Sequence, residues 1–331
     1  MAFWDALDDV TADDTAQVCA DHLHPNLTWN GPVPIRRGTS PADLAAQFWQ
    51  PLKRAIPDLK RQTHMVLGGA SSGKVDATDD GRMWVGGTGY LTGTPTSAFL
   101  DIPATGQPVR IRWGEFLRFE NNQIVEIHIL IDFIDWFDQI GLPVLPRPKG
   151  AQHVYPAPTG LNGQLLAPQD HSVTAATLTL GRALLYGGLN SFDSEDLTSM
   201  GMADFFHENL KWYGPGGIGA CLSLEEFQTL HQQPWLIAYP DRKVQDLDTL
   251  FAEGPLLAAS GVIGVIGTHL GPYLGHPATG KQIKFNGIDF WLRDGDMFTE
   301  NWVFVDMIDI FDQFGTDLFA KMREQTKGLP Q

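Results

Sequence analysis
The chain has 331 residues, 43% of them hydrophobic and 19% charged, which suits about two globular domains of roughly 150 residues and excludes global disorder. Against 39 Asp and Glu stand only 23 Lys and Arg, a net charge of −16 that repels phosphate backbones and anionic lipid. Nucleic acid and membrane are therefore not expected as partners. Cys19 and Cys221 are too few and too far apart for a disulfide framework or a zinc ribbon and read as buried apolar residues or inert surface thiols. The acidic N-terminal stretch lacks the basic and apolar regions of a leader, and no apolar run approaches the ~18 residues of a spanning helix, so a cytoplasmic location is expected.

In chain order, the stretch from Trp4 to Asp14 reads as a solvated acidic helix face, and a helix is predicted over 12–22. His24, just beyond, suits the end of that helix. A second helix starts at Ser40-Pro41, with Ser as N-cap and Pro in the first turn, and stops at Pro57-Asp58. Strand-like segments follow, ending in a hairpin of Arg110–Glu120 and Ile124–Ile131 around Asn121-Asn122. Six prolines between Pro143 and Asp170 forbid a helix or central strand there and predict an extended linker. Then the order recurs. A helix is predicted over 173–189, His207 suits its far end, another helix starts at Ser223-Leu224 and stops at Pro240-Asp241, and a hairpin joins Ile283–Arg293 to Phe298–Val305 through Asp294-Gly295-Asp296. Helices first and antiparallel strands afterwards define an α+β class.

The recurrence reaches individual residues. His24-Pro25-Asn26-Leu27-Thr28-Trp29-Asn30-Gly31-Pro32 matches His207-Glu208-Asn209-Leu210-Lys211-Trp212-Tyr213-Gly214-Pro215 at an offset of 183, which persists to Pro57-Asp58 and Pro240-Asp241. Gly87-Thr88 pairs with Gly267-Thr268, and Pro103-Ala104-Thr105-Gly106 with Pro277-Ala278-Thr279-Gly280. At the ends, Asp132, Asp135, Phe137 and Asp138 pair with Asp306, Asp309, Phe311 and Asp312. Such order means duplication of a whole domain. The predicted units are 1–142 and 171–331, joined by 143–170.

Residues two apart on a strand share a face. Glu300, Trp302 and Asp306 therefore line up in the second half, as do Glu126, His128 and Asp132 in the first, opposite the apolar Val303 and Val305 or Ile127, Ile129 and Ile131. A carboxylate beside aromatic rings loses solvation and gains a raised pKa suited to acid/base work. Asp132 and Asp306 equally suit N-caps of the short helical turns that follow them. Trp29 and Trp212 serve either as pocket walls or as core. Glu115 in the first half corresponds to Asp289 in the second, and His269 follows Gly267-Thr268 where the first half has Gly89.

The motifs His-x-Asn-Leu-x-Trp-x-Gly-Pro, Gly-Thr-His-x-Gly, Pro-Ala-Thr-Gly-Lys, Glu-x-Trp-x-x-x-Asp and a terminal Asp-Gln-x-Gly, complete in the second half and matched in the same order in the first, where among others the His of the second motif, the Lys and the Trp of the fourth are replaced, resemble the SnoaL-like polyketide cyclases of the nuclear transport factor 2-like, ketosteroid-isomerase-like fold. The resemblance implies two tandem cone-shaped domains, each a curved antiparallel sheet packed against N-terminal helices, and each with an apolar pocket. It implies an apolar small-molecule ligand and acid/base chemistry next to a carbonyl, with no metal and no cofactor. Single-domain relatives dimerise through their sheets, so an intramolecular pseudo-dimer is expected and further self-association is left open. The second half fits the motifs more fully, and there His269, Asp289 and Asp306 are expected to converge as catalytic residues. Trp212, Trp302, Glu300, Trp29, His128, Glu126, Asp132 and Glu115 are expected to contact substrate. A non-catalytic binding or assembly module, or a hydrolase or dehydratase on the same fold, is the alternative.

Overall fold
The computed structural model describes residues 2–327 apart from Asp79 and Leu197. Helices α1 (Ala2–Asp9) and α2 (Thr15–His22) precede β1 (Leu23–Asn30) and the short β2 (Arg37–Gly38). A helical stretch then runs from α3 (Pro41–Leu44) through a π-turn at Ala45–Trp49 into α4 (Gln50–Ala55). Ser40 Oγ accepts from the Asp43 N–H at 3.1 Å, so the cap read from the sequence closes this helix as expected. Strands β3 (Lys60–Ala70), β4 (Met83–Gly93), β5 (Val109–Glu120) and β6 (Gln123–Ile131) complete a sheet of order β2-β1-β6-β5-β4-β3, and α5 (Phe133–Gln139) closes the half. Asn121 and Asn122, with φ of 49° and 62°, make the tight turn of the β5–β6 hairpin.

The second half repeats the plan. Helix α6 (His171–Arg182) leads through a π-turn and two short 3-10 turns to β7 (Phe206–Tyr213) and β8 (Ala220–Cys221). Next come α7 (Leu224–Glu226), a π-turn at Phe227–Gln232 and α8 (Gln233–Ala238). Strands β9 (Lys243–Val244), β10 (Thr249–Glu253), β11 (Leu256–Thr268), β12 (Gln282–Asp294) and β13 (Met297–Val305) form a sheet of order β10-β11-β12-β13-β7-β8, with β9 also on β11. Helices α9 (Met307–Phe314) and α10 (Leu318–Thr326) follow. In both sheets the first long strand of the half pairs parallel with its last, β1 with β6 and β7 with β13, while the other pairs are antiparallel.

Strand register corrects one sequence pairing. Gly87 lies opposite Glu115, whereas Asp289 lies opposite Ala259, so the counterpart of Gly87 is Ala259. Gly267 lies opposite Ile283 as Gly93 lies opposite Val109. A bulge in β11 between Gly261 and Val265 is what slides the two registers apart. Thr94 N–H accordingly donates to Asp58 at 2.7 Å and Thr268 N–H to Asp241 at 2.6 Å, and His269 stands where the first half has Pro95.

The two sheets bury each other face to face. Phe116 and its counterpart Phe290 touch with ring centroids 5.4 Å apart, the self-contact that a pseudo-two-fold axis imposes on a residue beside it. Two further ties obey the same symmetry. Asp132 caps α5 through Asp135 N–H (3.1 Å) and accepts from Gly216 N–H in the other half (2.8 Å). Asp306 caps α9 through Asp309 N–H (3.0 Å) and accepts from Val33 N–H (2.8 Å), and Val33 is the counterpart of Gly216. Residues 143–170 hold no helix or strand, yet they are bound along the joint rather than free: Tyr155 Oη donates to Gly214 O at 3.0 Å, and Trp302 Nε1 to Pro156 O at 3.0 Å.

Two local expectations are corrected. The N-terminal stretch is not simply a solvated face, because α1 buries Phe3, Trp4 and Leu7 in the first-half core. Its carbonyl end is held by Lys53 Nζ on Leu7 O (2.5 Å) and Lys60 Nζ on Asp8 O (2.7 Å). His24 and His207 lie in strands β1 and β7 rather than capping helices; each Nδ1 accepts the N–H two residues on, at 3.1 Å.

Candidate active site
Inside the second cone lies a cavity of about 170 Å³. Its walls are apolar: Leu184 and Leu185 from the π-turn after α6, Phe227 and Trp235 from the second helical stretch, and Trp212, Trp291, Val303 and Val305 from the sheet. Polar side chains reach it as well: Asp289 on β12, Asn301 on β13 and His231 in the π-turn between α7 and α8, with Ser260 and Tyr273 also on the lining. His231 thus lies within a π-turn, a local irregularity often found at functional sites, and borders the cavity from it.

Asp289 lies deep in the protein and keeps accessible surface only because it borders the cavity. Burial pushes its carboxyl up to about 7, with a hydrogen bond from Asn301 opposing. Asn301 is itself fixed by donating Nδ2 to Phe290 O at 2.9 Å. Among the described residues no cation pairs with Asp289. His231 is stacked between Trp212 (4.1 Å, 17°) and Trp235 (5.9 Å, 17°). Burial, and then the charge of Arg242, press it down to about 3, so it is a neutral imidazole facing the cavity at any ordinary pH.

The first cone is filled. Glu115 stands where Asp289 stands, but Arg61 Nη2 reaches its Oε2 at 3.3 Å with both side chains buried. The Arg61 guanidinium lies 5.4, 5.2 and 4.7 Å from the ring centres of Trp4, Trp49 and Trp113. Register assigns the second-half counterparts: Arg61, opposite Leu91, corresponds to Val244, opposite Val265, and Trp113, opposite Gly89, corresponds to Gly287, opposite Gly261. Both Val244 and Gly287 line the cavity. Loss of a guanidinium and an indole hollows one half; their presence, with Trp4, closes the other.

Of the sequence candidates, Asp289 and Trp212 border the cavity. Asp306 does not; it is the cap of α9 and the tie to Val33, and burial pushes its carboxyl up to about 7. His269 lies at the end of β11, stacked on Phe314 at 4.1 Å and bonded to Thr279 Oγ1 at 3.2 Å, so the expected convergence of His269, Asp289 and Asp306 is corrected. The expected pocket face is corrected too. Glu126, His128, Glu300 and Trp302 belong to the sheet-to-sheet joint, while Asn301, Val303 and Val305 point into the cone. His128 bonds Ser260 across the joint at 3.0 Å and Glu126 at 3.1 Å. Burial opposes ionisation of Glu126, but His128 and Arg118 hold its carboxyl down at about 2. Glu300 accepts from Thr159 N–H at 3.2 Å, and Trp29 packs in the first-half core. Asp132 pairs with Arg112 at 3.0 Å, and Glu115 with Arg61.

Sequence reasoning missed His231 and Asn301. A signal existed: at the offset of 183 His231 replaces Phe48, and at 174 Asn301 replaces Ile127, two polar residues in otherwise apolar series.

The raised carboxyls make stability fall with pH. Asp289, Asp306 and Asp135 are each pushed up to about 7, by burial in every case and by the neighbouring Asp132 charge for Asp135. An unfolded Asp titrates near ~3.9, so between about 4 and 7 the folded chain holds more protons than the unfolded one. Their contribution is complete below pH ~4 and is lost as pH rises through about 7. The expected result is a lower melting temperature at pH 8 than at pH 5; a melting temperature that rises over this interval rejects the assignment.

A pair of α+β cones joined back to back through their sheets, one hollow with a carboxyl in its wall, is the class of protein defined here. The chain belongs to the SnoaL-like polyketide cyclase family, whose model matches residues 3–140 and again 185–314. Among solved structures, AclR from Streptomyces galilaeus is 18% identical over 43% of this chain and 97% of its own, with a TM-score of 0.35. TsrD from Streptomyces laurentii is 21% identical over 44% and 97%, with a TM-score of 0.33. No curated protein matches the chain. Among the described residues no helix is long and apolar enough to cross a membrane.

Proposed function
We propose that the chain is a cofactor-independent enzyme of cyclase or isomerase type, working in the second-half cavity on an apolar carbonyl compound. The observation that carries this reading is Asp289: a carboxyl in an apolar cavity wall, pushed up to about 7 by burial and without a cationic partner among the described residues, whereas its counterpart Glu115, which burial also pushes up to about 7, has Arg61 beside it in a filled core. A general base is most effective when its pKa lies near the working pH. Asp289 as carboxylate takes a proton from the carbon next to the carbonyl, and the C–H electron pair becomes the C=C of an enolate. In isomerisation the proton returns at another carbon; in cyclisation the enolate carbon attacks a second carbonyl and the proton passes to the resulting alkoxide. Asn301 positions Asp289, and neutral His231 offers an N–H toward a carbonyl oxygen in the same cavity. Asp306 and His269 act structurally in this scheme, and the filled first half favours a scaffold role for that half alone.

The test follows deuterium uptake at the carbon between ring and carbonyl of 2-tetralone in D2O by NMR. Catalysed exchange is expected to rise with pH around a midpoint near 7, the value for Asp289, and Asp306→Asn is expected to retain it within about threefold. No exchange above buffer, or loss of exchange in Asp306→Asn that remains folded, rejects the assignment.

A further inference from the structure
The two halves are a filled and an emptied copy of one site, and the filling of the first describes what the second lacks. In the first half the wall position of β5 carries the Trp113 indole, a flat two-ring system, with the Arg61 guanidinium over it at 4.7 Å. Arg61 supplies an N–H to Glu115 Oε2 at 3.3 Å. In the second half those places are Gly287 and Val244, both on the cavity wall, while the acid is kept as Asp289. Ring and donor have gone and their acceptor has stayed. The remaining walls are aromatic, with Trp212, Trp235 and Trp291 among them.

We propose that the second-half cavity takes a flat two-ring aromatic ligand carrying an N–H or O–H donor, its rings in the space that Trp113 fills in the first half and its donor on Asp289. The inference rests on reading this cavity as the ligand site. A neutral donor suits the place, because the Arg61 counterpart is the apolar Val244 and a cation there would lose its hydration among apolar walls. The donor is the selective element: a buried carboxyl left without one keeps its desolvation cost, whereas any flat hydrocarbon satisfies the walls.

The probes are indole and naphthalene, alike in shape and different in the N–H, titrated by calorimetry into the full chain. Indole is expected to bind one per chain and about tenfold tighter than naphthalene, the ratio that one hydrogen bond to such a group confers. Gly287→Trp, which restores the first-half ring, and Val244→Arg, which restores its guanidinium, are each expected to abolish indole binding. Circular dichroism identifies whichever of the two folds, and one folded variant suffices. Absence of saturable indole binding, equal affinity for naphthalene, or unchanged binding in a folded variant overturns the proposal. Exchange into 2-tetralone without indole binding overturns it while leaving the acid/base reading intact; indole binding with the expected selectivity but without exchange does the reverse.

Discussion

Asn in place of Asp289 is expected to lower 2-tetralone exchange by about 10²–10⁴-fold, the usual contribution of a positioned general base. The substitution keeps the shape of the side chain, so the cavity walls and the sheet register around β12 have no reason to move. Among the described residues it removes the one group on the cavity wall whose ionisation is pushed to about 7, since His231 is held at about 3. The residual rate should therefore lose its midpoint near 7. Stability should move the other way: a carboxyl raised to about 7 opposes folding at pH 8, and a neutral amide does not. A folded Asp289→Asn protein that is at least as stable as the parent at pH 8 and nearly inert in exchange is the expected result. Exchange within threefold of the parent would sink the role given to Asp289.

The sequence announced the duplication, the helix caps and both hairpins because each rests on local chemistry: Ser40 on its own helix, Asn121 and Asn122 on their own turn. It favoured the second half through motifs that His269 and Asp306 complete, and neither of those residues borders the cavity there. What it concealed was which face of each sheet is inside. Alternation separates two faces but does not say which one meets a ligand. The face of Glu300 and Trp302 looked like a pocket because acids and aromatics are mixed there. In a fused pair that mixture belongs to the joint, where Trp302 bonds Pro156 O and His128 bonds Ser260, while the plainer face of Val303 and Val305 encloses the cavity. Asp306 misled for a related reason: its burial comes from the joint with Val33, not from a pocket.

The fused arrangement sets a filled half against a hollow one. A buried Arg61–Glu115 pair is tolerated because both partners are present; removing one would strand a charge and cost about 3–5 kcal/mol. Arg61, Trp113 and Trp4 fill the first cone with core. The hollow second half has its sheet braced by this solid partner.

That bracing centres on Arg112, whose replacement is expected to have the largest effect on stability. Arg112 is buried between the rings of Tyr155 and Phe304, at 4.4 and 4.5 Å, which come from the connecting segment and from the second sheet. Its Nη1 donates to Asp132 at 3.0 Å and to Gly214 O at 2.7 Å, and its Nη2 to Tyr213 O at 3.3 Å and Val303 O at 3.1 Å. One side chain thus joins both halves and the segment between them, and its counterpart at the offset of 174 is the shorter, neutral Asn286. Methionine at position 112 fills similar space but leaves the Asp132 carboxylate without its cation and removes a donor from each of three buried carbonyls, at a cost of about 3–5 kcal/mol. Asp132 keeps its bonds from Asp135 and Gly216 N–H, so a double-mutant cycle with Asp132→Asn should return a coupling of about 1–3 kcal/mol rather than the whole loss. Because the joint is struck and neither cone is, scanning calorimetry of Arg112→Met should show the single transition broaden or split into two. A melting temperature within about 2 °C of the parent would mean that the apolar contact of Phe116 with Phe290 and its neighbours holds the halves together unaided.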